Sequence, residues 1–162
     1  MRCAYVGAQS AATALLFSYV SLYNNDPQGR VFAIHDIGNG ITPAGISQLS
    51  IDKGQIGANT VTPSPVMSNQ PVPPGLLTTG AVTAGTVRLQ NGIVAGQAQW
   101  THDFPFIVLT QGYRITAWGN AVNTAFVCGF WYQVLGMDEL MGLEAAPALV
   151  IPKVLKLTVE TE

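Results

Sequence analysis

Two histidines, His35 and His102, are all that the sequence offers for imidazole chemistry, and each is followed directly by an aspartate. A carboxylate that holds an imidazole in place can set up general-base catalysis. Neighbouring residues on a strand point to opposite faces, however, so neither His35–Asp36 nor His102–Asp103 makes a preformed dyad. Both pairs are expected near strand ends, partly solvated. Glycoside hydrolysis needs two carboxylates converging on one cleft. Asp36, Asp52, Asp103, Asp138, Glu139 and Glu144 are available, and no spacing pairs them; Asp138–Glu139 reads as part of a solvated turn. The chain has no nucleophile elbow, no phosphate-cradling loop and no zinc-protease helix motif. Gly38–Asn39–Gly40 is a Gly-rich turn without the lysine that a phosphate would require. Cys3 and Cys128 are too few for a zinc site or a disulfide framework. Cys128, between Phe126 and Phe130, reads as a small buried hydrophobe, and synthesis inside a cell argues against a bridge to Cys3. The expectation is a protein that is not an enzyme and carries no metal or cofactor.

The aromatic residues are the other group able to do chemistry, by stacking. Trp100, Trp118 and Trp131, with Tyr113 and Tyr132, could form a platform for sugars, whose C–H faces cover aromatic rings. Strand alternation puts Trp118 and Trp131 on the faces opposite the apparent core sets of their strands. Three places are open to them: a subunit interface, a second core layer, or a sugar site. Aromatics are enriched at interface hot spots, so Trp118, Trp131 and Tyr113 are candidate interface residues. Pro71, Pro73 and Pro74 join them, as the stiffest part of a long Gly/Pro-rich stretch that could project towards a partner.

The elements that must position these residues read as strands almost throughout. Residues 1–14, rich in Ala, Gly, Gln and Ser, read as a loose N-terminal arm. Leu15–Tyr23 and Arg30–Ile37 flank Asn24–Gly29, which is turn chemistry at each position and predicts a hairpin. Residues 38–85 form an excursion rich in Gly and Pro, with short strands at Ile46–Ile51 and Leu76–Val82. Strand signals return at Thr86–Gln90, Gln97–His102, Pro105–Thr110, Tyr113–Trp118 and Thr124–Leu135, with Gly119–Asn120 and Asn123 suited to the last turn. Tyr113, Ile115 and Ala117 share one face. Phe126, Cys128, Phe130, Tyr132 and Val134 share another, the expected centre of the core. Met137–Glu144 suits a single helical turn. Pro147 and Pro152 precede a last strand, Val154–Glu160, with Leu155, Leu157 and Val159 facing in. The pattern predicts an all-β fold: one antiparallel β-sandwich domain, jelly-roll-like, over residues 15–162.

Composition bounds the partners. Charged residues make up 10% of the 162, against roughly a quarter in an average soluble protein. A chain this poor in charge is expected to cover much of its surface with copies of itself or another protein. Its net charge of −2, with scattered basic residues, speaks against binding nucleic acid by phosphate neutralisation. Arg2 and the apolar run 11–20 imitate an export signal, yet no small-residue cleavage site follows. No stretch approaches the roughly 20 apolar residues that span a bilayer.

Two blocks resemble small structural proteins of tailed bacteriophages. One is Leu16–Asn24 followed by Arg30–Ile34; the other is Phe106–Ile115 with the aromatic strand Phe126–Tyr132. The resemblance implies a β-sandwich carried in many copies on a virion assembled in the host cytoplasm. Its leading form is a capsid decoration (cement) protein, a symmetric homo-oligomer such as a trimer that contacts the major capsid protein. The alternative is a tail-fibre, receptor-binding or other carbohydrate-binding module.

Overall fold

The computed structural model describes residues 2–42, 45–66, 69–82, 89–93, 96–101 and 107–145. Its strands in chain order are β1 (Arg2–Ser10), β2 (Phe17–Tyr23), β3 (Val31–Thr42), β4 (Gly45–Lys53), β5 (Asn59–Val61) and β6 (Ser64–Pro65). They continue as β7 (Leu76–Val82), β8 (Leu89–Ile93), β9 (Gly96–Thr101), β10 (Ile107–Leu109), β11 (Tyr113–Val122) and β12 (Ala125–Leu135), followed by helix α1 (Met137–Ala145). Two antiparallel sheets result. Sheet A runs β10-β3-β12-β1-β6, with β9 also paired to β3, and sheet B runs β5-β7-β2-β11-β4-β8. This is the all-β sandwich expected from the sequence.

The core follows from strand alternation. Phe126, Cys128, Phe130, Tyr132 and Val134 of β12 all face inwards, as their spacing predicts, with Phe32 and Ile34 of β3 beside them. Sheet B answers with Val20, Leu22, Leu49, Leu77, Ile115 and Ala117. Within the predicted N-terminal arm, residues 2–10 form a strand. Arg2–Ser10 pairs along its whole length with β12, from Arg2 opposite Val134 to Ser10 opposite Phe126, and it buries Ala4 and Val6 in the core. Its small inward residues suit the space left beside the aromatic ones of β12.

Neither of the two predicted turns makes a hairpin. β2 belongs to sheet B and β3 to sheet A, as do β11 and β12 respectively. β2 and β3 each carry one apolar face, and crossing between the sheets lets those faces meet across the core. β11 runs on through Gly119–Asn120, with a register shift after Trp118, and the turn falls at Asn123.

A polar corner fixes the first crossing. Asn24 is fully buried; its amide nitrogen donates to the carbonyls of Arg30 and Leu109, both at 2.9 Å. Its backbone N–H donates to Tyr113 O at 2.9 Å, so one residue ties both sheets together. Asp26 accepts from Arg30 Nε at 2.6 Å and Arg30 Nη2 at 3.2 Å, and from the backbone N–H groups of Gln28 and Arg30. The Arg30 side-chain bond holds the Asp26 carboxyl below its ordinary range, outweighing the opposing effect of burial.

The excursion 38–85 is largely sheet. β4 and β7 pair in sheet B, while β5 and β6 become edge strands of sheets B and A. The Pro71–Gly75 segment closes one end of the core: Tyr132 Oη donates to Pro74 O at 2.8 Å, and Gly75 N–H donates to Asn25 Oδ1 at 2.8 Å. The helix exceeds a single turn, and Glu139 accepts the Gly136 N–H at its start. Leu140 packs on Val31, Ala33 and Leu135, covering one end of the outer face of sheet A. The strand predicted at Val154–Glu160, with Pro147 and Pro152, lies outside the described residues, as do His102 and Asp103.

Asp26→Asn removes the charge from a buried carboxylate with four donors and is expected to destabilise the fold by about 2 kcal/mol at neutral pH. A carboxyl whose folded pKa is depressed stabilises the fold above its unfolded value, and that contribution is lost as pH falls through the lowered folded value. Urea unfolding at about pH 7 and about pH 3 should therefore show a smaller loss on acidification in Asp26→Asn than in the wild type.

Candidate functional site

The outer face of sheet A carries the exposed aromatic residues. In β1 and β12 the residues between the core positions point outwards: Tyr5, Gly7 and Gln9 on one strand, Val127, Gly129, Trp131 and Gln133 on the other. Register sets them in rows. Tyr5, Trp131 and Asp36 lie side by side across β1, β12 and β3, and the next row is Gly7, Gly129 and Gly38. A bulge in β3 makes this possible. Ile34 pairs with Tyr132 and Asp36 with Trp131, leaving His35 as the extra residue. Regular alternation from Ile34 through a paired His35 would turn Asp36 to the core and Ile37 to solvent; with His35 bulged out of the pairing, Ile37 is fully buried. His35 thus lies within β3 and not near a strand end.

Tyr5 lies down over the glycine row. A Cβ on Gly129 would meet Tyr5 Oη at 2.5 Å, Cζ at 3.0 Å and Cε2 at 3.1 Å, and one on Gly7 would meet Tyr5 Oη at 3.1 Å. One ring face is thus turned to the backbone and the other outwards. Tyr5 is 50% exposed and Trp131 41%; their ring centroids are 6.2 Å apart with planes inclined at 54°. The two rings form an open notch. Beside it a Cβ on Gly38 would meet no atom of the described residues within 4 Å, and Val127 is also exposed.

The outer face of sheet B is closed instead. Thr78, Ser21, Thr116 and Ser50 form a row of hydroxyls across β7, β2, β11 and β4, all buried. Ser21 Oγ and Thr116 Oγ1 are 2.9 Å apart. Segment 53–57 straps this face. Arg114 Nη1 donates to Lys53 O and Gly54 O, each at 2.8 Å, while Arg114 Nη2 is 3.5 Å from Asp52. Gly57 lies against the Tyr19 hydroxyl, and burial raises the pKa of that hydroxyl. Trp118 is 3% exposed, packed with Phe17 at 6.4 Å between ring centroids, and its indole nitrogen has no hydrogen-bond partner among the described residues.

The residues singled out in the sequence are therefore not brought together. Trp118 belongs to a second buried layer on sheet B, Trp131 is exposed on the opposite face of the sandwich, and Tyr113 is exposed at the end of β11. Pro71 is exposed, Pro73 buried and Pro74 half-buried. Trp100 lies in β9, with its side chain outside what the structure describes. Tyr132 is core, its hydroxyl pKa pushed up by burial. Tyr5 was missed because small inward residues, Ala4, Val6 and Ala8, hid the alternation that makes Cys3, Tyr5, Gly7 and Gln9 one outward set.

Cys3 and Cys128 are free thiols, and burial pushes the Cys128 thiol up, away from the reactive thiolate. Among the described residues no group of three or more His, Cys, Asp or Glu side chains is placed to hold a metal ion, and no helix is long and apolar enough to cross a membrane. No protein-family model, curated protein or solved structure matches the chain.

Two glycine variants should separate the covered floor from the open one. Gly129→Ala must displace Tyr5 and is expected to cost about 1–3 kcal/mol, whereas Gly38→Ala meets no atom of the described residues within 4 Å and should stay within about 0.5 kcal/mol of wild type. Denaturant unfolding of the two variants measures both.

Proposed function

We propose that the protein is a non-enzymatic structural protein of a virus particle, a capsid decoration module of the tailed-phage kind that associates with sister copies and holds the shell together. One observation carries the reading: the flank built by the excursion is apolar and has no charge. No Asp, Glu, Lys or Arg occurs from Gly54 through Val87. Within that stretch Val61, Val66 and Val72 are 40%, 43% and 61% exposed, and Pro71 is exposed beside them. Pro63 touches Gly75, which keeps the 61–66 and 71–75 segments on the same flank. Natural sheet edges are guarded by charges, by prolines or by shortness. Here β5 and β6 are three and two residues long and β6 ends in Pro65, so further strand pairing is blocked while apolar side chains stay presented. That combination suits side-chain packing between neighbouring subunits.

Light scattering of the purified protein is expected to give a mass of several chains, and gold-tagged antibody should mark virion heads. Val66→Asp combined with Val72→Asp should yield a folded monomer with a thermal midpoint close to that of the wild type, because both side chains are exposed. A folded wild-type monomer that leaves assembled shells unmarked overturns the proposal.

A further inference from the structure

The notch on the outer face of sheet A belongs to neither the core nor the apolar flank, and its chemistry is specific. We infer that Tyr5 and Trp131 form a binding site for neutral oligosaccharides built of equatorially substituted pyranoses, such as β-linked glucose or N-acetylglucosamine. Such a ring carries flat C–H faces and a girdle of hydroxyls. It needs an upturned aromatic plane, a second surface to fix its tilt, clearance for the neighbouring residue of the chain, and polar groups at the edge.

The structure holds each of these. Tyr5 lies flat on Gly7 and Gly129 with its free face outwards, and Trp131 stands against it at 54°. At the next glycine of the row, Gly38, where a linked sugar would continue, a Cβ would meet no atom of the described residues within 4 Å. Asp36 flanks Trp131 on β3, Gln133 lies one row away on one side, and Gln9 lies two rows away on the other, beyond the glycines. A carboxylate accepts from hydroxyls, and amides both donate and accept. Asp36 is the charged residue of these rows and no Lys or Arg stands in them, so nothing there favours uronic or sialic acids over neutral sugars.

Area distinguishes this occupant from a second copy of the chain. Two aromatic side chains about half exposed leave on the order of 200 Å² of apolar surface. A stable protein–protein contact takes about 800 Å² per partner; the glycines around the rings add little, and with the exposed Val127 and Val66 counted in the apolar surface of the described residues there still falls short of it. The patch matches one or two sugar rings. The flank adjoins the notch, Ser64 of β6 pairing with Tyr5, but shares no residue with it, and the sugar reading does not depend on the virion reading.

Isothermal titration of the whole protein with cellopentaose and with chitopentaose tests it, with polygalacturonate as the acidic control. At least one neutral pentasaccharide should bind. Trp131→Ala and Tyr5→Ala should each weaken that binding about tenfold or more, by analogy with the loss of a base-stacking ring. Tyr113→Ala, which removes an exposed aromatic elsewhere, should leave it unchanged. Val72→Asp alone, which leaves Val66 beside β1 untouched, should also keep full affinity, which separates this site from the assembly surface. The inference is overturned if folded wild type binds neither sugar, if Trp131→Ala retains wild-type affinity, or if polygalacturonate binds more tightly. A wild-type dimer that Trp131→Ala converts to monomer would also overturn it, by assigning the notch to a second copy.

Discussion

The space between two packed sheets is about 10 Å deep, and the side chains of both must fill it together. Here sheet A supplies the bulk. Phe32, Phe126, Phe130 and Tyr132 are fully buried, with the rings of Phe32 and Tyr132 at 4.7 Å. Sheet B supplies aliphatic side chains of smaller reach, from Val20 to Ala117. β12 lies between β1 and β3, so its inward residues are enclosed on every side. The same alternation leaves no freedom for the residues between them: once Phe130 and Tyr132 face in, Gly129 and Trp131 must face out. The exposed face is therefore a consequence of the core, not an independent feature.

Holding the sheets in register across that space falls to polar groups at the ends. The Asn24–Asp26–Arg30 corner satisfies its own buried donors and acceptors and borrows carbonyls from the β10–β11 connection, where Gln111 donates to Asp26 O at 2.7 Å. Asn123 and Thr124 do similar work at the second crossing. Asn123 accepts the Leu15 N–H, and Ser18 donates to Thr124 O, each at 2.7 Å. Buried polar groups are costly when unpaired and specific when paired, so these corners decide which strands cross.

The two outer faces then diverge. Sheet B is sealed by its strap and a row of hydroxyls, while sheet A keeps an aromatic notch over glycine. The apolar flank lies at the sheet edges and adjoins the notch, since Ser64 of β6 pairs with Tyr5 and the Val66 N–H donates to Cys3 O.

Period-two spacing was enough, by itself, to mark β12, β7 and the core set Phe126–Val134, because a half-buried strand writes its faces directly into the sequence. The scarcity of charge was equally plain. Tertiary structure alone decided the rest, for three physical reasons. Turn chemistry at Asn24–Gly29 says that the chain reverses but not whether its strands pair or cross, which depends on where their apolar faces find partners. A bulge at His35 reverses the phase of β3, so local alternation assigns Asp36 and Ile37 to the wrong faces. Small residues such as Ala4, Val6 and Ala8 give little hydrophobic contrast, so β1, and Tyr5 with it, becomes visible only when β12 lies alongside.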